Sequence, residues 1–88
     1  MELESRFKQA AEDVKDLARK PDNKTLLRLY SLYKQATEGQ PSGARPGMME
    51  FVDRAKYDAW KNLGDMSRED AMEAYIDLVE QLADQSGR

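Results

Sequence analysis

Asp22-Asn-Lys-Thr-Leu-Leu-Arg-Leu-Tyr-Ser-Leu-Tyr-Lys-Gln-Ala-Thr-Glu-Gly39 reads as a helix with both of its ends encoded. Asp22 can cap the first turn by accepting a hydrogen bond from a free backbone amide. Gly39 stops the helix at the position where glycine commonly follows a last turn. Between them, at about 100° per residue, Leu26, Leu29, Tyr33 and Ala36 share one face. Leu27, Tyr30 and Lys34 form a second line on its flank, at steps of three and four. The next stretch, Gly39 to Met49, holds three glycines and two prolines in about eleven residues and has no helical pattern. Extended at ~3.3 Å per residue, such a loop spans over ~30 Å. A helix over 23–38 is only about 25 Å long at ~1.5 Å per residue. The loop is therefore long enough to return along the whole helix, and the element after it can run parallel to the one before it.

Three more amphipathic segments surround this one. From Leu3 to Ala18, the residues Phe7, Ala11, Val14 and Ala18 make one apolar face, which Pro21 ends. From Glu50 to Leu63 the apolar set is Phe51, Ala55, Ala59, Trp60 and Leu63, with Gly64 as the stop. The fourth starts at Ser67, a good N-cap, with Glu69 and Asp70 where negative charge suits a helix N-terminus. Ala71, Ala74, Tyr75, Leu78, Val79 and Leu82 then form a long stripe. No segment alternates like a strand. The expectation is an all-α four-helix bundle. Short first and third connections make helices one and two antiparallel, and likewise three and four. The long loop between helices two and three permits an up-down-down-up order without forcing it.

Composition narrows the chemistry. A chain of 88 residues, 40% hydrophobic and 35% charged, fits one soluble domain over 1–88. It contains no His and no Cys, which excludes hydrolytic triads, thiolate nucleophiles and imidazole or thiolate metal sites. A cysteine-free chain without a long apolar run suits the cytoplasm and gives no membrane span or signal peptide. With 14 Lys and Arg against 17 Asp and Glu, net charge −3, a nucleic-acid partner is not expected. The glycine-rich stretch 39–47 lacks the Lys-Ser/Thr ending of a phosphate-binding loop. Carboxylate pairs such as Glu12 and Asp16 lie on a polar face, without the apolar enclosure that an acid/base dyad needs. A binding domain is favoured over an enzyme.

A few residues sit badly in a plain bundle. Leu27 and Tyr30 either pack on another helix or line a groove, with Lys34 solvated in the first case and functional in the second. Lys56 falls in the arc of Val52, Ala59 and Leu63. Its head either snorkels to water along its own stem or waits for an anion at a groove's edge. Lys15 flanks the first stripe in the same way. Tyr75 lies inside the fourth stripe, where its hydroxyl needs a partner.

The stretch Tyr30-Ser-Leu-Tyr-Lys-Gln-Ala-Thr-Glu-Gly39 is more particular than a generic helix. So are Arg45-Pro-Gly47 with Lys56-Tyr-Asp-Ala-Trp60, and Ser67-Arg-Glu-Asp-Ala-Met-Glu-Ala-Tyr-Ile76. With Phe7 and Ala10-Ala11 near the start, these blocks resemble the acyl-CoA-binding protein family in order and spacing, from about Phe7 to Leu82. The resemblance implies an up-down-down-up bundle that carries medium- to long-chain fatty acyl-CoA esters in the cytoplasm as a monomer, without cofactor, metal or stable membrane insertion. It implies that Tyr30 and Lys34 help hold the adenosine 3′-phosphate and that Lys56 joins the phosphate and adenine site. Tyr33, with Ser31 and Leu32 in the same binding stretch, and Lys15 and Tyr75 join the ligand contacts. The acyl chain is implied near the start of helix two, against Leu26 and Leu27. Enzymes that use acyl-CoA are the implied recipients.

This chain departs from the family pattern in places. Val52 stands where members often carry a basic residue, which implies one lost contact to the CoA part. Tyr57 stands where many carry Trp, and the loop Gln-Pro-Ser-Gly-Ala is less polar than usual. Two other functions compete. One is a helical protein–protein adaptor using the Tyr-lined flank of helix two. The other is an acyl-CoA thioesterase or isomerase, disfavoured by the missing His and Cys and by the resemblance, in which isomerases carry their chemistry on another domain. An acyl carrier protein is disfavoured because no Asp-Ser-Leu attachment site precedes a helix.

Overall fold

The computed structural model describes residues 2–86; Met1, Gly87 and Arg88 of the expected domain lie outside it. Helix α2 runs Asn23–Glu38, as its two end signals require. The Asp22 carboxylate accepts from the Thr25 amide at 2.8 Å. Gly39 closes the helix at φ 78°, ψ −147°, and donates to the Gln35 carbonyl at 3.0 Å. That backbone region is nearly closed to residues with a Cβ. The other elements are α1 (Glu2–Asp13), followed by a 3₁₀ turn at Val14–Asp16, α3 (Phe51–Lys61) and α4 (Arg68–Ser86). Ser67 caps α4, its hydroxyl accepting from the Asp70 amide at 2.9 Å.

Two expectations of extent need correction. The first helix ends at Asp13 rather than near Ala18. The chain tightens through the 3₁₀ turn, and Leu17 is extended at φ −62°, ψ 135°. Pro21 disfavours helical geometry at Lys20, and the chain must reverse before Asp22. Leu17 is half-buried and Ala18 exposed, so the apolar face stops at Val14. In α3, Phe51 is 73% exposed and does not join the core.

Side-chain hydrogen bonds set the helix directions. The Trp60 indole Nε1, near the end of α3, donates to the Gly39 carbonyl just past the end of α2, at 2.7 Å. These two helices therefore finish together and run parallel. Gln35, fully buried, donates its side-chain amide to the carbonyls of Gly64 at 3.1 Å and Met66 at 2.8 Å. That bond pair holds the α3–α4 turn against the last turns of α2, so α4 runs back antiparallel. Leu3 and Phe7 of α1 line one hollow with Arg68 and Met72 from the start of α4, while Ala10 and Asp13 line another with Ile76 and Val79 further on. Helices α1 and α4 are thus parallel, and the order is up-down-down-up.

Helix α2 packs on both α3 and α4, and α1 packs on α4. The core joins Phe7 and Ala10 of α1, Leu29, Leu32 and Ala36 of α2, and Ala71, Tyr75, Ile76 and Val79 of α4. From α3 only Trp60 is buried. Helix α3 therefore leans on α2 by an edge, and a groove stays open between them. The long loop is tied to α3 by Arg45, whose guanidinium donates to both Asp58 carboxylate oxygens at 2.9 and 2.6 Å. That pairing holds the Asp58 carboxyl below the usual carboxylate range.

Replacing Gln35 by Ala should leave two carbonyls without their donor and open a small cavity. The expected loss is about 2–4 kcal/mol of unfolding free energy, read by urea denaturation. A loss under about 0.5 kcal/mol would mean that the turn holds its place without this amide.

Candidate functional site

Because α2 and α3 run parallel, each level of the shorter α3 faces a level of α2. At the upper level, Lys34 of α2 holds its Nζ 5.0 Å from the centre of the Trp60 ring of α3. One turn lower the exchange is reversed, and Lys56 of α3 holds its Nζ 5.2 Å from the centre of the Tyr30 ring of α2. Each cation thus rests on an aromatic face supplied by the other helix, an attraction that fixes its head without neutralising it. Lys34 also pairs with Glu38 on its own helix, which holds its ammonium above the ordinary lysine value.

Below these cations the groove turns apolar. A hollow of about 420 Å³ is walled by Asn23, Leu26 and Leu27 of α2 and by Phe51, Val52 and Ala55 of α3, with Tyr30 and Lys56 at its upper end. A second hollow, of about 610 Å³, lies on the other side of Tyr30. The α1–α2 connection forms its rim through Lys15 and Leu17, and Leu26, Tyr33 and Tyr75 line it. Tyr30 belongs to both walls. The Tyr33 ring stacks on Phe7 at 5.5 Å and stays 42% exposed. The Tyr75 ring meets Phe7 edge-on at 5.2 Å and is 4% exposed. Burial pushes the Tyr75 hydroxyl up from the ordinary phenol value.

The structure gathers most of the expected residues. Leu26, Leu27, Tyr30 and Lys56 meet at the apolar hollow, Lys15, Tyr33 and Tyr75 at the second one, and Lys34 stands at the upper rim. Lys15 is exposed and ion-paired with Glu12 at 3.3 Å. Two expected residues do not join the others. Leu32 has no exposed surface and belongs to the core. Ser31 is 2% exposed, and its hydroxyl donates to the Arg28 carbonyl at 2.8 Å. Helix rotation turns both away from the groove. Val52, where the resemblance implies one lost contact to a polar head, lies in the wall of the apolar hollow. Trp60, a member of the third segment's apolar set, is buried and its ring is also the seat of Lys34. The signal was its place one turn after Lys56.

Among the described residues no group of His, Cys, Asp and Glu is arranged to hold a metal ion. The arrangement offers aromatic-seated cations, tyrosine faces and an apolar trough. It suits an amphipathic molecule with an anionic, planar head.

Residues 4–79 match the sequence profile of the family described as Acyl CoA binding protein. The chain belongs to that family. It is 49% identical to an acyl-CoA-binding protein of Brassica napus, over 93% of this chain and 89% of that one. It is 48% identical to the enoyl-CoA delta isomerase 2 of Rattus norvegicus over 91% of its own length, and spans only 20% of that protein. The crystal structure of acyl-CoA-binding protein 2 of Oryza sativa superposes with a TM-score of 0.92 at 42% identity, covering 97% of this chain and 94% of that one. The family, the all-α class and the helix arrangement expected from the motif blocks are therefore established.

Tyr75 gives the site a pH signature. Its folded pKa lies above the ordinary phenol value of about 10. As pH rises, the unfolded chain loses this proton first, so the stabilisation is complete below about pH 10 and is lost as pH climbs towards the folded value. Tyr75→Phe has no proton to lose. Its thermal midpoint should fall less steeply than that of wild type between about pH 9 and 11. Parallel alkaline limbs would place the Tyr75 hydroxyl in water.

Proposed function

We propose that this protein binds and carries medium- to long-chain fatty acyl-CoA esters in the cytoplasm as a non-enzymatic monomer, buffering their pool. The observation that carries this reading is the polarity of the α2–α3 groove, with Lys34 and Lys56 on aromatic faces at one level and an apolar hollow directly below. Family membership supports it, as does the name of the Brassica napus relative. In this reading Tyr30, Lys34 and Lys56 converge on the 3′-phosphate. Tyr33, Tyr75 and Lys15 serve the rest of the CoA head, while Leu26 and Leu27 face the acyl chain.

The energetics are sufficient. Hydrogen bonds to charged groups contribute about 1.5–3 kcal/mol each, so two or three anchor the head. Each methylene covered adds about 0.8 kcal/mol. The protein's net charge of −3 cannot steer an anion from a distance, so attraction must be local to these lysines. To receive a phosphate, Lys34 leaves Glu38 for a stronger acceptor. Covering the thioester and its tail protects the ester from hydrolysis and limits its detergent action. The ester is the ligand and no cofactor takes part; acyl-CoA-using enzymes then receive it. The isomerase name of the rat relative does not argue for isomerisation here, because the matching segment is 20% of that protein. The adaptor alternative has no observation in its favour.

Hexadecanoyl-CoA at 100 times its dissociation constant should add about 2.7 kcal/mol of stability. For a domain of this size that is roughly 10–20 °C in thermal midpoint. Free CoA should bind far more weakly. Leu27→Asp should weaken the long-chain ester much more than it weakens free CoA. Absence of any shift with saturated esters of about 8 to 18 carbons, at the excess that should stabilise, would contradict the carrier reading.

A further inference from the structure

The apolar hollow does not end at Leu27. Its α3 wall continues outward as Phe51 and Val52, 73% and 67% exposed, preceded by Met48 and Met49 at 77% and 84%. These four large apolar side chains stand in water at the end where α2 and α3 begin. Among the described residues, Tyr33, at 42%, is the only other exposed large hydrophobic. An exposed apolar strip of this kind marks a binding surface.

The charges beside the strip turn away from it. The Glu50 carboxylate, between Met49 and Phe51, accepts from the Gly47 amide at 2.9 Å and so bends back to the loop. Asp53 lines an adjoining hollow with Pro46, Tyr57 and Trp60, which meets the apolar one only at Tyr30 and Lys56. Phe51 and Val52 belong to both the hollow and the strip, and across from them Asn23, uncharged, is the polar residue at the start of the α2 wall. Four side chains also fall short of the ~800 Å² per partner that a stable protein interface uses.

We propose that Val52, with Phe51, Met48 and Met49, sets the chain-length preference of the groove. The strip receives the distal methylenes of acyl chains too long for the hollow, which would otherwise lie in water. The proposal rests on the acyl-CoA reading above and adds a preference for very long chains to it. A charged side chain at position 52 would stand across the mouth of the hollow and return those methylenes to solvent.

The test is calorimetry, below the esters' micelle concentrations, with saturated acyl-CoA of about 12, 16, 20 and 24 carbons. Two added methylenes tighten binding about 15-fold if fully covered and about fourfold if half covered. Wild type should keep tightening beyond 16 carbons by about the smaller factor. In Val52→Lys the ratio of the 24-carbon to the 12-carbon binding constant should fall by about tenfold or more. Met49→Lys, outside the hollow, should lower the same ratio. Both positions are exposed, and unchanged thermal midpoints without ligand would verify the fold. Equal ratios in wild type and both variants would overturn the proposal while leaving the acyl-CoA reading intact. Failure of wild type to bind any ester would overturn that reading itself. A ligand-free dimer that Val52→Lys dissociates would assign the strip to a second copy. Ligand-free flotation with phosphatidylcholine vesicles, lost in Val52→Lys, would assign it to a bilayer. Either result would overturn the proposal.

Discussion

The Gln35 side chain has no exposure to water, and its amide reaches the carbonyls of Gly64 and Met66, 29 and 31 residues away. Those carbonyls belong to the turn between α3 and α4. A buried amide NH2 is costly unless paired, and both of its bonds go to the turn, which is thereby held at the C-terminal end of α2, while the buried Gln35 Oε1 accepts no hydrogen bond among the described residues. The consequences follow in order. Helix α3 must end there, so it must begin at the far end, and the loop after Gly39 must travel the length of the bundle. The Trp60 indole donating to Gly39 completes the same constraint from α3. Parallel α2 and α3 then share levels, and a groove with a polar end and an apolar end results.

The same arrangement explains how an acidic protein can attract an anion. The favourable field is confined to one rim, where Lys34 and Lys56 lie on rings that lose little hydration when a ligand covers them. The Lys34–Glu38 pair holds the ammonium in place before a ligand arrives. Helix α3 adds little to the core, so the groove can stay open without unsettling the packing of α1, α2 and α4.

Legibility in the sequence varied with the kind of signal. Helix α2 carries a capping Asp22 and a terminating Gly39, and its observed ends coincide with them. The first helix had a stripe that continued to Ala18 and only Pro21 as a stop, so its end was read late. The reversal into α2 is a tertiary demand that no local residue announces. Phe51 looked like core by spacing, yet α3 packs chiefly on α2 and buries only Trp60, near its other end. At the site, Tyr30 and Lys34 were legible because they fell off the main stripe. Ser31 and Leu32 were drawn in with their motif, but a contiguous motif does not share one helix face, and only every third or fourth residue looks into the groove. The meeting of Lys34 with Trp60 was not legible, since it depends on the parallel register of two helices joined by a long loop.

The polarity of the groove is the central claim, and NMR on the complex with hexadecanoyl-CoA tests it most directly. With the acyl chain labelled with carbon-13, intermolecular contacts should run from its methylenes to the side chains of Leu27, Val52 and Ala55. The adenosine and phosphate signals should respond to Tyr30, Lys34 and Lys56. Acyl contacts with the tyrosine-lined hollow by Lys15, and none at Leu27, Val52 or Ala55, would contradict the account.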